Sequence, residues 1–180
     1  SLPPQNIPFT NIDLASTLTA LADGGVREFY RGRIAKQLIH DLKKQQRNSD
    51  SVPTITTSDL KRYKVVERKP LCRTYKVWNI CSFPPPSGGG LAVLQSLGVY
   101  EHVLKRISTG TIINHSLVLA EAFRLADADR SHWVGDPIDF PVPLDGLLDR
   151  TYIKMRANLI KFHKPINSPL PGMPVGAELL

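Results

Sequence analysis

The sequence predicts a helix-rich α+β chain with a small number of strands. Apolar residues recur at helical spacing through most of its length, as in Leu119, Ala122, Phe123 and Ala126. One segment, Thr74 to Phe83, alternates instead. Tyr75, Val77, Cys81 and Phe83 fall on one face and Trp78 and Ile80 on the other, the period of a strand. Between the two patterns lies Pro84-Pro85-Pro86-Ser87-Gly88-Gly89-Gly90. The prolines lack N–H groups and stop the strand, Ser87 offers a cap to the next helix, and the glycines admit a close backbone.

Taken in order, residues 1–10 are proline-rich and extended. Asn11 caps a first helix through Leu14, Leu18 and Leu21, which Gly24-Gly25 closes. A second helix carries Phe29, Ile34, Leu38 and Leu42 and ends in the polar loop 45–51. Thr57-Ser58-Asp59 starts a short helix to about Tyr63. Val65 to Glu67 and Leu71 to Arg73 read as short strands leading into the Tyr75–Phe83 strand. After the proline–glycine turn, one helix runs from Leu91 to about Leu104, and a more apolar one from Asn114 to about Arg130. Gly135-Asp136-Pro137 breaks the pattern, a short turn follows at 144–148, and the last helix holds Tyr152, Met155, Leu159 and Ile160. The proline-rich segment 165–180 has little to bury and is expected to be a mobile tail. There is no internal repeat, and residues 1–180 read as a single segment.

With 180 residues, 42% hydrophobic and 22% charged, the chain has the composition of an ordinary soluble globular protein. No apolar run approaches the roughly 20 residues of a membrane-spanning helix. The start, Ser1 to Asn6, has neither the basic nor the apolar part of a signal peptide. A net charge of +7 raises nucleic acid as a partner. The cations between Arg27 and Lys76 are interrupted by acids and apolar residues, however, and a solvated basic face is the better reading.

Known site chemistries fit poorly. A P-loop needs Lys after its last glycine, where Leu91 stands, and a dinucleotide loop needs a third glycine where Val93 stands. An EF-hand counted from Asp127 needs glycine and glutamate where the chain has His132 and Ile138. Asp127 and Asp129 are better read as helix-end carboxylates pairing with Arg124 and Arg130. Ser87 lacks the Gly-x-Ser-x-Gly context of a nucleophile elbow. The two cysteines, Cys72 and Cys81, lack zinc-ligand company; Cys81 reads as a core residue, and a disulfide across a hairpin is conceivable. Motif chemistry alone assigns no catalytic, substrate-binding or metal-binding residue.

Several blocks, in order, resemble the γ-glutamyltranspeptidase (glutathione hydrolase) family. Asn11-Ile12-Asp13-Leu14-Ala15-Ser16-Thr17-Leu18 resembles the family's Asn-Pro-Asp-Leu-Ala-x-Thr-Leu, with Ile12 in place of proline. Phe29 to Ala35 resembles Phe-Tyr-x-Gly-x-Ile-Ala, and Val66 to Leu71 resembles the run before its strand pair. Pro84 to Gly90 is similar to Pro-Pro-Pro-Ser-Ser-Gly-Gly, with Gly88 replacing the second serine. Ala120 to Ala126, then Asp129-Arg130, then Gly135-Asp136 match the closing blocks. The resemblance covers nearly the whole chain and corresponds to the second half of the family's large subunit.

It implies part of an N-terminal-nucleophile hydrolase fold, an αββα sandwich shared by two subunits cut from one precursor. A threonine exposed by that cut attacks the γ-glutamyl carbonyl, with its own amine as base, and the acyl group passes to water or an amino acid. No cofactor is implied. The partners would be the rest of the large subunit, the small subunit and a γ-glutamyl substrate, in a periplasmic or extracellular setting. Neither Thr-Thr-His nor Thr-Ser-His occurs in the chain, and the substrate-clamping arginine belongs to the first half of the large subunit. The chain alone is therefore expected to be inert. Cephalosporin-acylase-like and poly-γ-glutamate-cleaving members share the fold and stand as alternatives. So do a basic nucleic-acid-binding module and a structural paralogue without the threonine.

Overall fold

The computed structural model describes residues 8–46, 55–108 and 110–177. The chain divides into two compact units, Ser1–Val66 and Glu67–Leu180, where the sequence shows no boundary. The division falls within residues 63–70, which hold no helix or strand, so the short strand expected at Val65 to Glu67 does not form.

Among the described residues, the first unit holds three helices. α1 (Ile12–Arg31) begins at Asn11, whose side chain accepts the Leu14 amide hydrogen bond at 2.9 Å. Gly25 does not end it as expected; it kinks it, with φ 61°, a conformation open chiefly to glycine. The break comes instead at Gly32, and the Glu28 carboxylate reaches forward to accept from the Arg33 amide at 2.7 Å, where α2 (Arg33–Gln46) starts. Phe29 therefore belongs to α1 and not to the second helix. α3 (Thr57–Arg62) opens with a reciprocal capping box between Thr56 and Asp59. Tyr30 and Tyr63 stack at 5.4 Å. Ala35 and Ile39 are buried, whereas α1 has no buried residue and exposes Leu14, Leu18 and Val26.

The second unit holds the core. The two strands expected at Leu71–Arg73 and Tyr75–Phe83 form a hairpin whose turn falls later than expected, β1 (Leu71–Tyr75) against β2 (Trp78–Ser82), antiparallel, with Leu71 opposite Ser82. Lys76, with φ 53°, turns the chain without the usual glycine or asparagine. Cys72 and Cys81 face each other across the ladder and are joined by a disulfide. Both are on the exposed face, so Cys81 is not a core residue.

Then come α4 (Gly88–Leu104), α5 (His115–Trp133), α6 (Leu144–Leu148) and α7 (Arg150–Asn158). Val99 and Val103 of α4, Val118, Ala122 and Leu125 of α5, and Ile153 and Ala157 of α7 form one fully enclosed cluster. A second gathers Leu91, Trp133, Leu147, Tyr152 and Ala177. Together these make the helix-rich α+β architecture that the sequence predicts.

At the start of α7, Asp149 accepts from the backbone amides of Thr151 (2.8 Å) and Tyr152 (2.9 Å). The Tyr152 amide above all holds this carboxyl below its ordinary range. The stability it lends is present above the usual carboxylate pKa and lost as pH falls through the depressed folded value. Asp149→Asn keeps the cap but does not titrate. Its thermal midpoint is expected to fall less steeply than that of the parent between mildly and strongly acidic pH, which parallel melts at each pH measure.

Candidate functional site

The junction from β2 to α4 is the first element of the site. Pro84, Pro85 and Pro86 carry the chain out of the strand, with a cis bond between Pro85 and Pro86. The Ser87 amide closes a turn onto the Pro84 carbonyl at 3.2 Å. Ser87 occupies the N-cap position of α4, but its side chain makes no capping hydrogen bond, contrary to expectation. Gly88, Gly89 and Gly90 form the first turn of the helix itself, one turn earlier than the apolar pattern indicates.

The three glycines do different things. A Cβ on Gly90 would run into the Phe83 carbonyl oxygen, so this glycine brings the helix start against the strand end. Around Gly89 there is open space. A Cβ on Gly88 would lie 2.7 Å from Cγ and Cδ of Arg130 on α5. Arg130 is half-exposed and pairs with Asp127 at 2.8 Å, so it has room to swing. Gly88→Ser is accordingly expected to cost no more than about 1 kcal/mol, read as a small drop in the urea midpoint.

The second element lies two turns into α4 and is a buried polar cluster centred on Asp129. This carboxylate is fully buried and collects three hydrogen-bond donors and one ion pair. The donors are Gln95 Nε2 of α4 at 2.7 Å, Tyr152 Oη of α7 at 2.9 Å and the Gly172 amide at 2.8 Å, and the ion pair is with Arg156 Nη2 of α7 at 2.9 Å. Asp129 therefore pairs with Arg156, not with Arg124 or Arg130; Arg124 pairs with Glu121 at 2.6 Å. Burial, and then the Asp129 carboxylate, push the Tyr152 phenol well above its ordinary range, so it remains a donor. Arg156 also donates to the carbonyls of Leu125 (3.1 Å) and Leu170 (2.8 Å).

This cluster holds segment 165–177, where composition points to a mobile tail. Trp133 Nε1 donates to the Gly172 carbonyl at 2.9 Å, and the buried Glu121 accepts from the Ile166 amide at 3.0 Å. Gly146 lets the Val175 backbone pack directly on α6. Residues 178–180 lie outside the described residues.

The last elements of the site are Gly135 and Asp136. Asp136 accepts from Arg68 at 3.1 Å and from the Ile138 amide at 3.1 Å, tying the approach to β1 to the end of α5. Gly135 leaves room for Phe140.

The arrangement is a platform pinned by buried charges. Among the described residues no serine, threonine or cysteine is hydrogen-bonded to a histidine, and no cluster of metal-ligating side chains occurs. His102 and His115 are engaged with the Gly98 carbonyl and the Tyr100 hydroxyl.

Comparison with known proteins places this platform. A family model described as gamma-glutamyltranspeptidase matches residues 2–175. The chain is 36% identical over 163 residues to the glutathione hydrolase proenzyme of Escherichia coli (strain K12), covering 89% of this chain and 27% of that protein. It superposes on a gamma-glutamyltranspeptidase from Pseudomonas nitroreducens complexed with L-DON, with TM-score 0.74 and 30% identity, over 91% of this chain and 48% of that one. A cephalosporin acylase from Bacillus halodurans aligns over 82% of this chain and 26% of that one, with TM-score 0.66 and 26% identity. The platform is thus a helix-rich α+β segment of an N-terminal-nucleophile hydrolase fold. The chain spans about a quarter of the length of the curated relatives it matches. It belongs to the gamma-glutamyltranspeptidase family.

Proposed function

We propose that this chain is the scaffold segment of an enzyme that cleaves γ-glutamyl amide bonds, glutathione among them. The γ-glutamyl group would pass through a threonine ester to water or to an amino acid. The nucleophile, its base and the substrate-clamping arginine come from other parts of the precursor, since no Thr-Thr-His or Thr-Ser-His block occurs here. What this segment contributes is position. The observation that carries the reading is the buried Asp129 cluster, which ties α4, α5, α7 and segment 165–177 into one body behind the proline–glycine junction. Such a support holds reacting groups contributed by neighbouring segments within fractions of an ångström.

The test is expression of the full-length protein, followed by its subunit pattern and its release of aniline from a γ-glutamyl anilide. Two bands and release that rises with an added dipeptide acceptor are expected, with neither from this chain alone. An unprocessed, inactive full-length protein would leave a structural paralogue. The acylase likeness supports a second reading, in which an N-acylated cephalosporin is the better substrate; comparison of kcat/KM on the two amides decides between them.

A further inference from the structure

A pocket of about 490 Å³ opens between the end of α4 and the start of α7, within the size range of small-ligand sites. Lys105 and Arg106 line one side of it and Arg150 and Lys154 the other, with His102, and no carboxylate is among the lining residues. Lys105 is partly offset by Glu101 at 2.9 Å. Arg106 is held in place by a 2.6 Å hydrogen bond to the Ala157 carbonyl and by the Phe162 ring, 5.6 Å away, neither of which cancels its charge. Arg150 and Lys154 have no carboxylate partner among the described residues.

More positive charge stands nearby. Arg73 lies against Gly98, donates to the Leu148 carbonyl at 3.2 Å, and leaves its buried Nε without a partner. Burial weakens its hold on its proton; Arg150 adds to that and Glu101 opposes it. The Gly98 carbonyl can only accept, so the His102 Nδ1 that contacts it at 2.9 Å carries the hydrogen.

Cations converging on one opening repel one another, and the four cationic side chains offer only hydrogen-bond donors. Thr151 and Asn158, which also line the pocket, can donate as well as accept. A ligand that relieves the repulsion and satisfies the donors must be compact, multiply negative and rich in acceptors. Guanidinium groups beside ammonium groups suit phosphate oxygens in particular. We infer that this pocket binds a small phosphate-bearing anion, of the size of pyrophosphate or a phosphomonoester, gripped between Arg106 and Lys105 on α4's end and Arg150 and Lys154 on α7.

The experiment is calorimetric titration of inorganic pyrophosphate into the full-length protein at physiological ionic strength. Saturable one-site binding is expected. The double variant Arg150→Ser/Lys154→Ser should weaken it at least about tenfold, in line with the loss of charge-assisted hydrogen bonds. Both residues are exposed, so its thermal midpoint should match the parent's. Lys161→Ser/Lys164→Ser removes the same charge outside the pocket and should leave the affinity unchanged. Equal weakening by the two double variants would reduce the effect to net charge and overturn the proposal. Absence of saturable binding, as when an acidic segment of the same protein already fills the pocket, would overturn it too.

Discussion

Asp129→Ala is expected to destabilise the second unit by about 3–5 kcal/mol, the cost of leaving a buried charge without its partner. The substitution removes the acceptor of three hydrogen bonds and the partner of an ion pair at once. Arg156, only 5% exposed and already with an unpartnered Nε, would keep its charge in an enclosed space. Tyr152→Phe removes one donor and leaves the charge pair intact, so about 1 kcal/mol is expected. Urea unfolding of the two variants beside the parent measures both. A double substitution of Asp129 and Arg156 by apolar residues of similar volume should recover much of the loss, since it buries no orphaned charge. A cost below that of Tyr152→Phe for Asp129→Ala would show that the cluster does not hold the unit together.

Gly90→Ala is expected to cost about 3 kcal/mol, at the upper end of overpacking effects. The added Cβ would collide with the Phe83 carbonyl oxygen and lie 2.9 Å from the Phe83 nitrogen and from Ser82 Oγ. Backbone atoms cannot swing aside, so either β2 or the first turn of α4 must shift. Gly89→Ala is the internal control. Nothing lies within 4 Å of its Cβ, and alanine favours a helix over glycine by roughly 1 kcal/mol. Adjacent glycines should therefore respond with opposite signs, a contrast that thermal melts of the two variants resolve. If both respond alike, the close strand-to-helix approach is not what Gly90 is for.

The two central helices were legible because their apolar spacing runs over many turns and packing reinforced it. The proline–glycine junction was legible as a strand stop for the same local reason, the chemistry of proline. The place of the hairpin turn was not: Lys76 adopts a left-handed turn although no residue there advertises one, so period two continues straight through the reversal. The hydrogen bonds that segment 165–177 makes to buried carboxylates are not legible from its composition, because those acids lie far away in sequence. Asp129 belongs to a block that resembles the family's, yet its partners come from α4, α7 and the tail. No local pattern joins those three. The polar residues missed by sequence reasoning, Gln95, Tyr152 and Arg156, sit on helix faces that otherwise read as apolar core. Asp129 itself, near the end of α5, reads from sequence as an ordinary helix-end carboxylate and gives no sign of them.

The manner in which segment 165–177 is held also sets a clock. The amides of Ile166 and Gly172 belong to no helix or strand, yet each is hydrogen-bonded to the side chain of a buried acid, Glu121 for the first and Asp129 for the second. Solvent deuterium reaches such an amide only when its particular acid lets go, so each residue reports the opening of a different lock. Both should exchange at rates typical of helix interiors. Weakening the Asp129 cluster should speed Gly172 while leaving Ile166 slow, which makes the irregular end of this chain a two-channel gauge of its own interior.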